Sequence, residues 1–461
     1  MKIKKAPNIN EVRGLASDII YQITEYNAYA NLALEKGLKD VALSQLDKNL
    51  VTELVNGTIR MLKHLDWVLN SFLQKDITSL NPHIRNILRF SLYQIMFMDK
   101  IPAYAIVNEA VELAKVKTNG NLAKLVNGVL RNILRNRDNI TYPEANTREF
   151  LAVYYSHPEW LVSILLNTYS FLECEEILIY NNSRPNLHLR ANLLKTNRND
   201  LIKGLAEEGL ACTPHPYIPM GINIEQLNTS ITATEAYQKG HFYIQNVGSI
   251  LASIILDPRP EELIYDLCSG VGGKATHLAE LMGNNGDVRC YDIYEHKLSI
   301  LNNNAKRLGI NIITTNQKNV LAINADRLAD KVLLDAPCSG LGVLNRRSDL
   351  RWHKDREDIS SLAELQYSLL VKASQLVRTE GLLLYTTCTI NSAENEDIIK
   401  RFLENYADFA LVAFTDKIPF FPLLDKDRRK AAGGMLTIVP GKYQTDGMFY
   451  ALLIRKGNLD G

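Results

Sequence analysis

The sequence predicts an α/β protein: a doubly wound, mostly parallel sheet, preceded by an all-α bundle and a small α+β middle region. Three observations predict it. Residues 10–140 carry apolar positions at helical spacing, with no strand signal among them. Residues 187–192 alternate Leu187, Leu189 and Ala191 with His188, Arg190 and Asn192, as a half-buried strand does. From about residue 246, short apolar strands alternate with helical stretches, the pattern of a parallel sheet with crossovers. A chain of 461 residues is long enough for two or three domains, and the boundaries fall at 1–140, 148–245 and 246–461.

In the first region Val12, Leu15, Ala16, Ile19, Ile20 and Ile23 mark one helix. Leu54, Val55, Thr58, Ile59, Leu62 and Leu65, followed by Leu69 and Phe72, mark another. Asn81 and Pro82 start a third, with proline at a tolerated first-turn position. Its run 84–97 is apolar around much of its circumference, as in a central bundle helix. The polar segment 138–147 reads as a linker. The middle region starts with helices at 148–169 and 173–181, continues with the strand at 187–195 and a helix at 197–209, and then enters a proline-rich loop. In the last region, strands are expected at 263–267, 287–291, 312–315, 331–334, 382–386, 409–414 and 448–454. Helices are expected at 274–282, 295–308, 358–377 and 393–406.

Composition excludes several classes. No apolar run approaches the roughly 20 residues that span a membrane, and the basic start lacks the apolar stretch of a secretory signal. Six cysteines without a CxxC pair suggest neither a zinc site nor a disulfide framework, so no metal is expected. Free thiols fit a reducing, cytoplasmic setting. Charge is uneven: residues 1–150 hold 20 Lys/Arg against 15 Asp/Glu, and the rest 32 against 36. Residues 115–137 contain Lys115, Lys117, Lys124, Arg131, Arg135 and Arg137 and no acid. Such a stripe is either a phosphate-binding footprint or a solvated helix face.

The first strand of the last region ends in the run 266–280, DLCSGVGGKATHLAE. A glycine-rich turn between strand and helix lets backbone amides approach a ligand. It is not a P-loop, because Gly270 stands three before Gly273 and Lys274 is followed by Ala275. The second strand ends at Asp292, where a carboxylate can accept both ribose hydroxyls of an adenosine, or simply cap the next helix. The pair supports a nucleoside-bearing cofactor without choosing its kind.

Two cysteines fifty positions apart, Cys338 and Cys388, each follow a buried strand. Strand ends of this kind are where α/β sheets bind and transform ligands. Pro337 takes Cys338 out of the ladder, and Asp335 at a buried strand end calls for a partner. Cys388 stands before Asn391 and Ser392, good caps for a following helix whose N-terminus would favour a thiolate. Either cysteine alone is more simply a packed residue. Two thiols and a carboxylate in one pocket point to attack on a pyrimidine ring.

The runs DLCSGVGGK, DAPCSGLGV, YTTCTINSAENE and TDGMFYALLIRK resemble motifs of the RNA cytosine-5 methyltransferases. The runs RGLASDIIYQI, VTELVNGTIRMLKHLDWVL, IVNEAVELAK and KLVNGVLRNILR resemble a NusB-like helical RNA-binding domain. The combination is similar to the 16S ribosomal RNA cytosine-5 methyltransferases of the RsmB/Sun/Fmu type. This resemblance implies a Rossmann-like sheet, S-adenosylmethionine as cofactor and 16S ribosomal RNA as partner, free or in an assembly intermediate. A monomer that binds no membrane is expected. The resemblance also implies that Cys388 adds to C6 of cytosine, that Cys338 assists release of the adduct, and that Asp335 holds the base at N3. The cofactor would be contacted by Cys268, Ser269, Gly270, Val271, Gly272, Gly273, Lys274, Asp292 and Asp335. RNA would be contacted by Lys115, Lys117, Lys124 and Arg131, and by Arg190 and Asn192, whose alternative is a structural strand.

The sequence departs from the family pattern at three places. Val271 stands where a proline precedes the paired glycines. Asn319 is the nearest counterpart of the acid that faces adenine. An amide, Asn246, follows Gln245 in the run 245–249. The alternatives are the same chemistry on tRNA or on another ribosomal RNA site, and a non-catalytic ribosome-assembly protein that binds RNA.

Overall fold

A computed structural model describes residues 9–39, 41–227 and 229–457. They form two compact units. One holds the described residues up to Ser183 together with Leu344–Asp355; the other holds Arg184–Val343 and the described residues from Arg356 onward. Among the described residues, no helix is long and apolar enough to cross a membrane.

The described residues of the first unit begin with seven α-helices: α1 (Ile9–Tyr26), α2 (Ala30–Leu38), α3 (Gln45–Arg60), α4 (Leu62–Asn70), α5 (Pro82–Phe97), α6 (Ala103–Lys117) and α7 (Gly120–Arg135). Asn81 caps α5 by accepting from the His83 N–H, and Pro82 takes the first-turn position that needs no donor. Helix α5 is the central one, buried from Ile84 to Gln94 apart from Arg85. Two of its long buried polar side chains are partnered: Arg89 forks onto Asp66 at 2.7 Å, and Gln94 accepts from Arg13 at 2.8 Å. Gly57 on α3 lets α5 approach, since a Cβ there would lie 2.0 Å from the Tyr93 ring.

The expected helix at 148–169 is two, Arg148–Tyr154 and Glu159–Thr168. Pro158 disfavours helical backbone before it, and Ser156 turns through φ 56°. The segment 138–147 contains no strand or α-helix, yet it is fastened: Trp67 donates to the Thr141 carbonyl at 3.0 Å. Residues 344–355, which lie between two strands of the second unit in sequence, are built into the first. There Arg351 is fully buried and donates to the carbonyls of Ser156 and Asn181 and to Asn182 Oδ1.

The second unit contains two sheets. The smaller is antiparallel, with order β2-β3-β1-β4 from β1 (Leu187–Ala191), β2 (Leu210–Pro214), β3 (Gly221–Leu227) and β4 (Phe242–Ile244). The larger comprises β5 (Leu263–Leu267), β6 (Asp287–Asp292), β7 (Ile313–Gln317), β8 (Ala329–Asp335), β9 (Val377–Thr387), β10 (Phe409–Leu411), β11 (Met435–Ile438) and β12 (Met448–Arg455). Its order is β10-β12-β9-β8-β5-β6-β7, with β11 also on β12. Strands β5 to β9 pair in parallel and β12 runs antiparallel to β9. The chain therefore winds outward from β5 in one direction, then returns to β8 on its other side. That reversal opens a crevice between the ends of β5 and β8. A helix over Val247–Leu256, almost wholly buried, lies outside the expected elements, because an apolar run this short has no clear periodicity.

Candidate functional site

Lys274 Nζ donates to Asp335 Oδ2 at 2.6 Å across the β5–β8 crevice. Burial works against its charge, but Asp335 outweighs that, helped by Cys388 and Asp266, so its pKa is raised. Lys274 is thus an ammonium set among these groups.

The two cysteines meet. Cys338 Sγ and Cys388 Sγ are 3.3 Å apart, and both are free thiols. Adjacent parallel strands bring them together, with Asp335 of β8 level with Thr386 of β9. The hydrogen bond to Cys388 and burial push the Cys338 thiol well above its ordinary pKa, with Glu394 adding to the effect. Cys388 is not at a helix N-terminus as expected. A 3-10 turn over Ser392–Glu394 comes first, and the α-helix begins only at Glu396. Asn395 instead holds the chain on either side of Cys388, accepting from the Thr387 hydroxyl at 2.6 Å and donating to the Thr389 carbonyl at 3.0 Å.

The turn after β5 runs through left-handed backbone at Cys268 (φ 63°), Gly270 (φ 57°) and Gly272 (φ 87°). Gly272 is required sterically, since a Cβ would lie 2.5 Å from Leu301. Beside Gly270 a Cβ would meet nothing within 4 Å, so this part of the turn faces open space. Val271 is 43 % exposed, and Ser269 is folded back onto the Asp266 and Tyr291 carbonyls. Gly273 begins the helix Gly273–Leu281. Cys268 is pushed up to about 12 by burial and by the carboxylates of Asp335, Asp292 and Asp266, so it stays a thiol. Asp292 accepts from the Gly270 N–H and the Tyr294 N–H, both at 2.9 Å; it shapes the glycine turn and also caps the chain leaving β6. Asn319 is exposed and caps a short turn by accepting from the Leu321 N–H.

Asp266 is the residue that sequence reasoning passed over. It is fully buried, and among the described residues neither carboxylate oxygen has a hydrogen-bond partner. Burial, with Asp335 and Asp292 adding to it against Lys274, raises its pKa to about 8. Its place at the head of the glycine turn was the available signal. An orphaned carboxyl, an open turn at Gly270 and a carboxylate on the next strand fit a ligand that has both a cationic group and a ribose.

Arg190 and Asn192 require correction. Both are fully buried, not presented on an outer strand face. Arg190 forks onto Glu280 at 2.7 and 3.0 Å and donates to Gln245, to the Gly273 carbonyl and to Thr276. Asn192 donates to the Gly240 and Leu308 carbonyls, each at 2.9 Å. Arg190 fastens the small sheet to the glycine-turn helix, Asn192 fastens it to the end of the helix Glu295–Leu308, and the donors of both are engaged inside the protein. Gln245 and Asn246 are structural as well: Gln245 donates to the Gly273 carbonyl, and Asn246 caps the Val247–Leu256 helix and bonds Asp446.

In the first unit, Lys115, Lys124, Arg131 and Arg135 line one groove of about 730 Å³ between α6 and α7. Lys117 does not line it and pairs with Asp18; Lys115 pairs with Glu112.

Three family models match the chain: the 16S rRNA methyltransferase RsmB/F model over residues 253–454, the NusB family over 10–135, and the ferredoxin-like domain of RsmF/B-like methyltransferases over 157–231. The chain is 35% identical over 453 residues to the probable ribosomal RNA small subunit methyltransferase B of Bacillus subtilis, covering 97% of this chain and 99% of that protein. It is 35% identical to the corresponding protein of Synechocystis, covering 96% and 98%. The crystal structure of PH0851 matches with a TM-score of 0.77 at 28% identity, over 98% of this chain and all of that one. These similarities run through both units and include the glycine turn and both cysteine loops, and the chain belongs to the ribosomal RNA small subunit methyltransferase B family.

Proposed function

We propose that this protein methylates C5 of a cytosine in 16S ribosomal RNA by way of a transient bond between Cys388 and C6 of the ring. The observation that carries the reading is the pair of thiols 3.3 Å apart, beside the Lys274–Asp335 ion pair, at the sheet edge that also holds the glycine turn. S-adenosylmethionine, when bound, supplies an electrophilic methyl group. Asp266 would face its cationic amino acid end, the turn 268–273 its middle and Asp292 its ribose, with Asn319 near the adenine.

Cytosine C5 is too weak a nucleophile to accept a methyl unaided. The Cys388 thiolate forms a bond to C6, and the C5=C6 electron pair becomes available at C5. Asp335 holds the base edge at N3 through a proton taken up from water as the new bond at C6 makes N3 more basic, and the Lys274 ammonium offsets negative charge from the thiolate and the carboxylate. Once C5 carries the methyl, water takes its proton, the C–H electron pair re-forms the C5=C6 double bond, the C–S bond breaks and Cys388 leaves as thiolate. Cys338, held as a neutral thiol beside Cys388, assists that release. The target base has to leave its stack or lie in unpaired RNA to reach the pocket. Lys115, Lys124 and Arg131 in the α6–α7 groove supply phosphate contacts.

Cys338→Ala is expected to accumulate an RNA–protein adduct that survives denaturing gels, and Cys388→Ala to give neither product nor adduct. An adduct in Cys388→Ala would reverse the two roles. Bisulfite sequencing of ribosomal and transfer RNA from cells with and without the gene identifies the methylated cytosine. A missing methyl group in tRNA alone would overturn the 16S assignment.

A further inference from the structure

The Glu394 carboxylate is fully buried. Among the described residues no cation pairs with it; four hydrogen-bond donors surround it instead. Ser339 donates through its backbone N–H at 2.8 Å and also through its hydroxyl. Thr389 Oγ1 donates at 3.3 Å and Gln366 Nε2 at 3.0 Å. Ser339 is the neighbour of Cys338, and Thr389 is the neighbour of Cys388. Gln366 Nε2 also donates to the Pro337 carbonyl at 2.9 Å, on the other side of Cys338. One carboxylate therefore gathers the residue after each reactive cysteine, together with a helix side chain that braces the first loop. A buried carboxylate persists only when its oxygens are fully engaged, so the site resists any motion that removes a donor.

We propose that Glu394 is a positioning residue that sets the spacing of the two thiols by holding both cysteine loops on one carboxylate. The consequence for catalysis rests on the reading given under Proposed function. C5 and C6 are adjacent ring atoms, so the thiol that attacks C6 and the thiol that assists release have to stand side by side at once. A misplacement of about 1 Å is enough to cost on the order of a hundredfold in rate. What is required of Glu394 is the length and planar fork of its side chain, since in Glu394→Gln the amide oxygen can keep the Ser339 and Gln366 N–H groups while the Ser339 and Thr389 hydroxyls turn to accept from the amide nitrogen.

The first test uses neither RNA nor cofactor. A diazene oxidant takes one hydrogen from each thiol and becomes the hydrazine, leaving a Cys338–Cys388 disulfide, which peptide mass spectrometry identifies. Wild type and Glu394→Gln are expected to close at similar rates, and Glu394→Ala more than about tenfold more slowly. In methylation assays Glu394→Ala should lose at least about tenfold in kcat with KM for RNA unchanged, and should accumulate adduct as Cys338→Ala does. If Glu394→Ala does not fold, the Ser339→Ala/Thr389→Val double variant makes the same test by removing the two hydroxyl donors. Disulfide closure at the wild-type rate in a folded Glu394→Ala, or in the double variant, would overturn the proposal. Loss of closure in Glu394→Gln would overturn the geometric account. Absence of adduct in Cys338→Ala would instead defeat the cysteine mechanism and leave the disulfide result to judge Glu394.

Discussion

Asp266 sets the most direct prediction at the scale of single residues. Its carboxyl has a folded pKa of about 8 against an ordinary 3.8, so at neutral pH it is mostly protonated. Between those values the folded state holds more protons than the unfolded state, so this group's contribution to stability falls as pH rises from about 4 to 8. Asp266→Asn is expected to melt higher than wild type at pH 8, by the equivalent of about 2–5 kcal/mol, and to converge with it near pH 4. Melting curves across that range check it. A cationic ligand group at Asp266 would favour the carboxylate, so S-adenosylmethionine binding at pH 7 should release a proton, visible by calorimetry in buffers of different ionisation enthalpy. Asp266→Asn should bind more weakly and release none. The sequence made Asp335, Cys338 and Cys388 legible because they end or follow apolar strands. Asp266 lies inside such a strand, and only the packing around it shows a carboxyl without a partner.

Helix α7 carries the prediction at the scale of elements. Lys124, Arg131 and Arg135 recur at about two-turn and one-turn intervals and face one groove with Lys115 from α6. Neutralising Lys124, Arg131 and Arg135 together should weaken RNA binding and flatten its dependence on salt, by about one unit of slope for each phosphate no longer neutralised. Lys117→Ala, outside the groove and paired with Asp18, should change the slope little. An unaltered slope in the triple variant would mean the groove is ordinary surface. Sequence patterning found the stripe but could not separate Lys117 from its neighbours, since its partner lies 99 residues away. The same limit explains Arg190. Alternation placed it on an outer strand face, yet that face is covered and Glu280 receives its charge. Strand periodicity tells the two faces apart without saying whether the polar one meets water.

At the scale of the whole molecule, residues 344–355 stand out, because they belong to the helical unit although their neighbours in sequence belong to the other. Arg351 is their anchor, and burial drives its pKa well below the ordinary value. Arg351→Ala would leave several buried acceptors unsatisfied. It should destabilise the helical unit by about 2–4 kcal/mol, read as earlier loss of helical signal on heating, while disulfide closure between Cys338 and Cys388 reports separately on the other unit. Sequence by itself determined the class of fold, the strands β5 to β9 with the helices that alternate with them, the glycine turn and the two cysteine loops. Each is written in local periodicity or in residues that break it. Tertiary structure alone decided what meets what: Lys274 on Asp335, Cys338 on Cys388, Glu394 beneath both loops, and Arg190 away from solvent. These contacts join residues far apart in the chain, and the order of strands in the sheet, which brings them together, is fixed by packing and not by any local pattern.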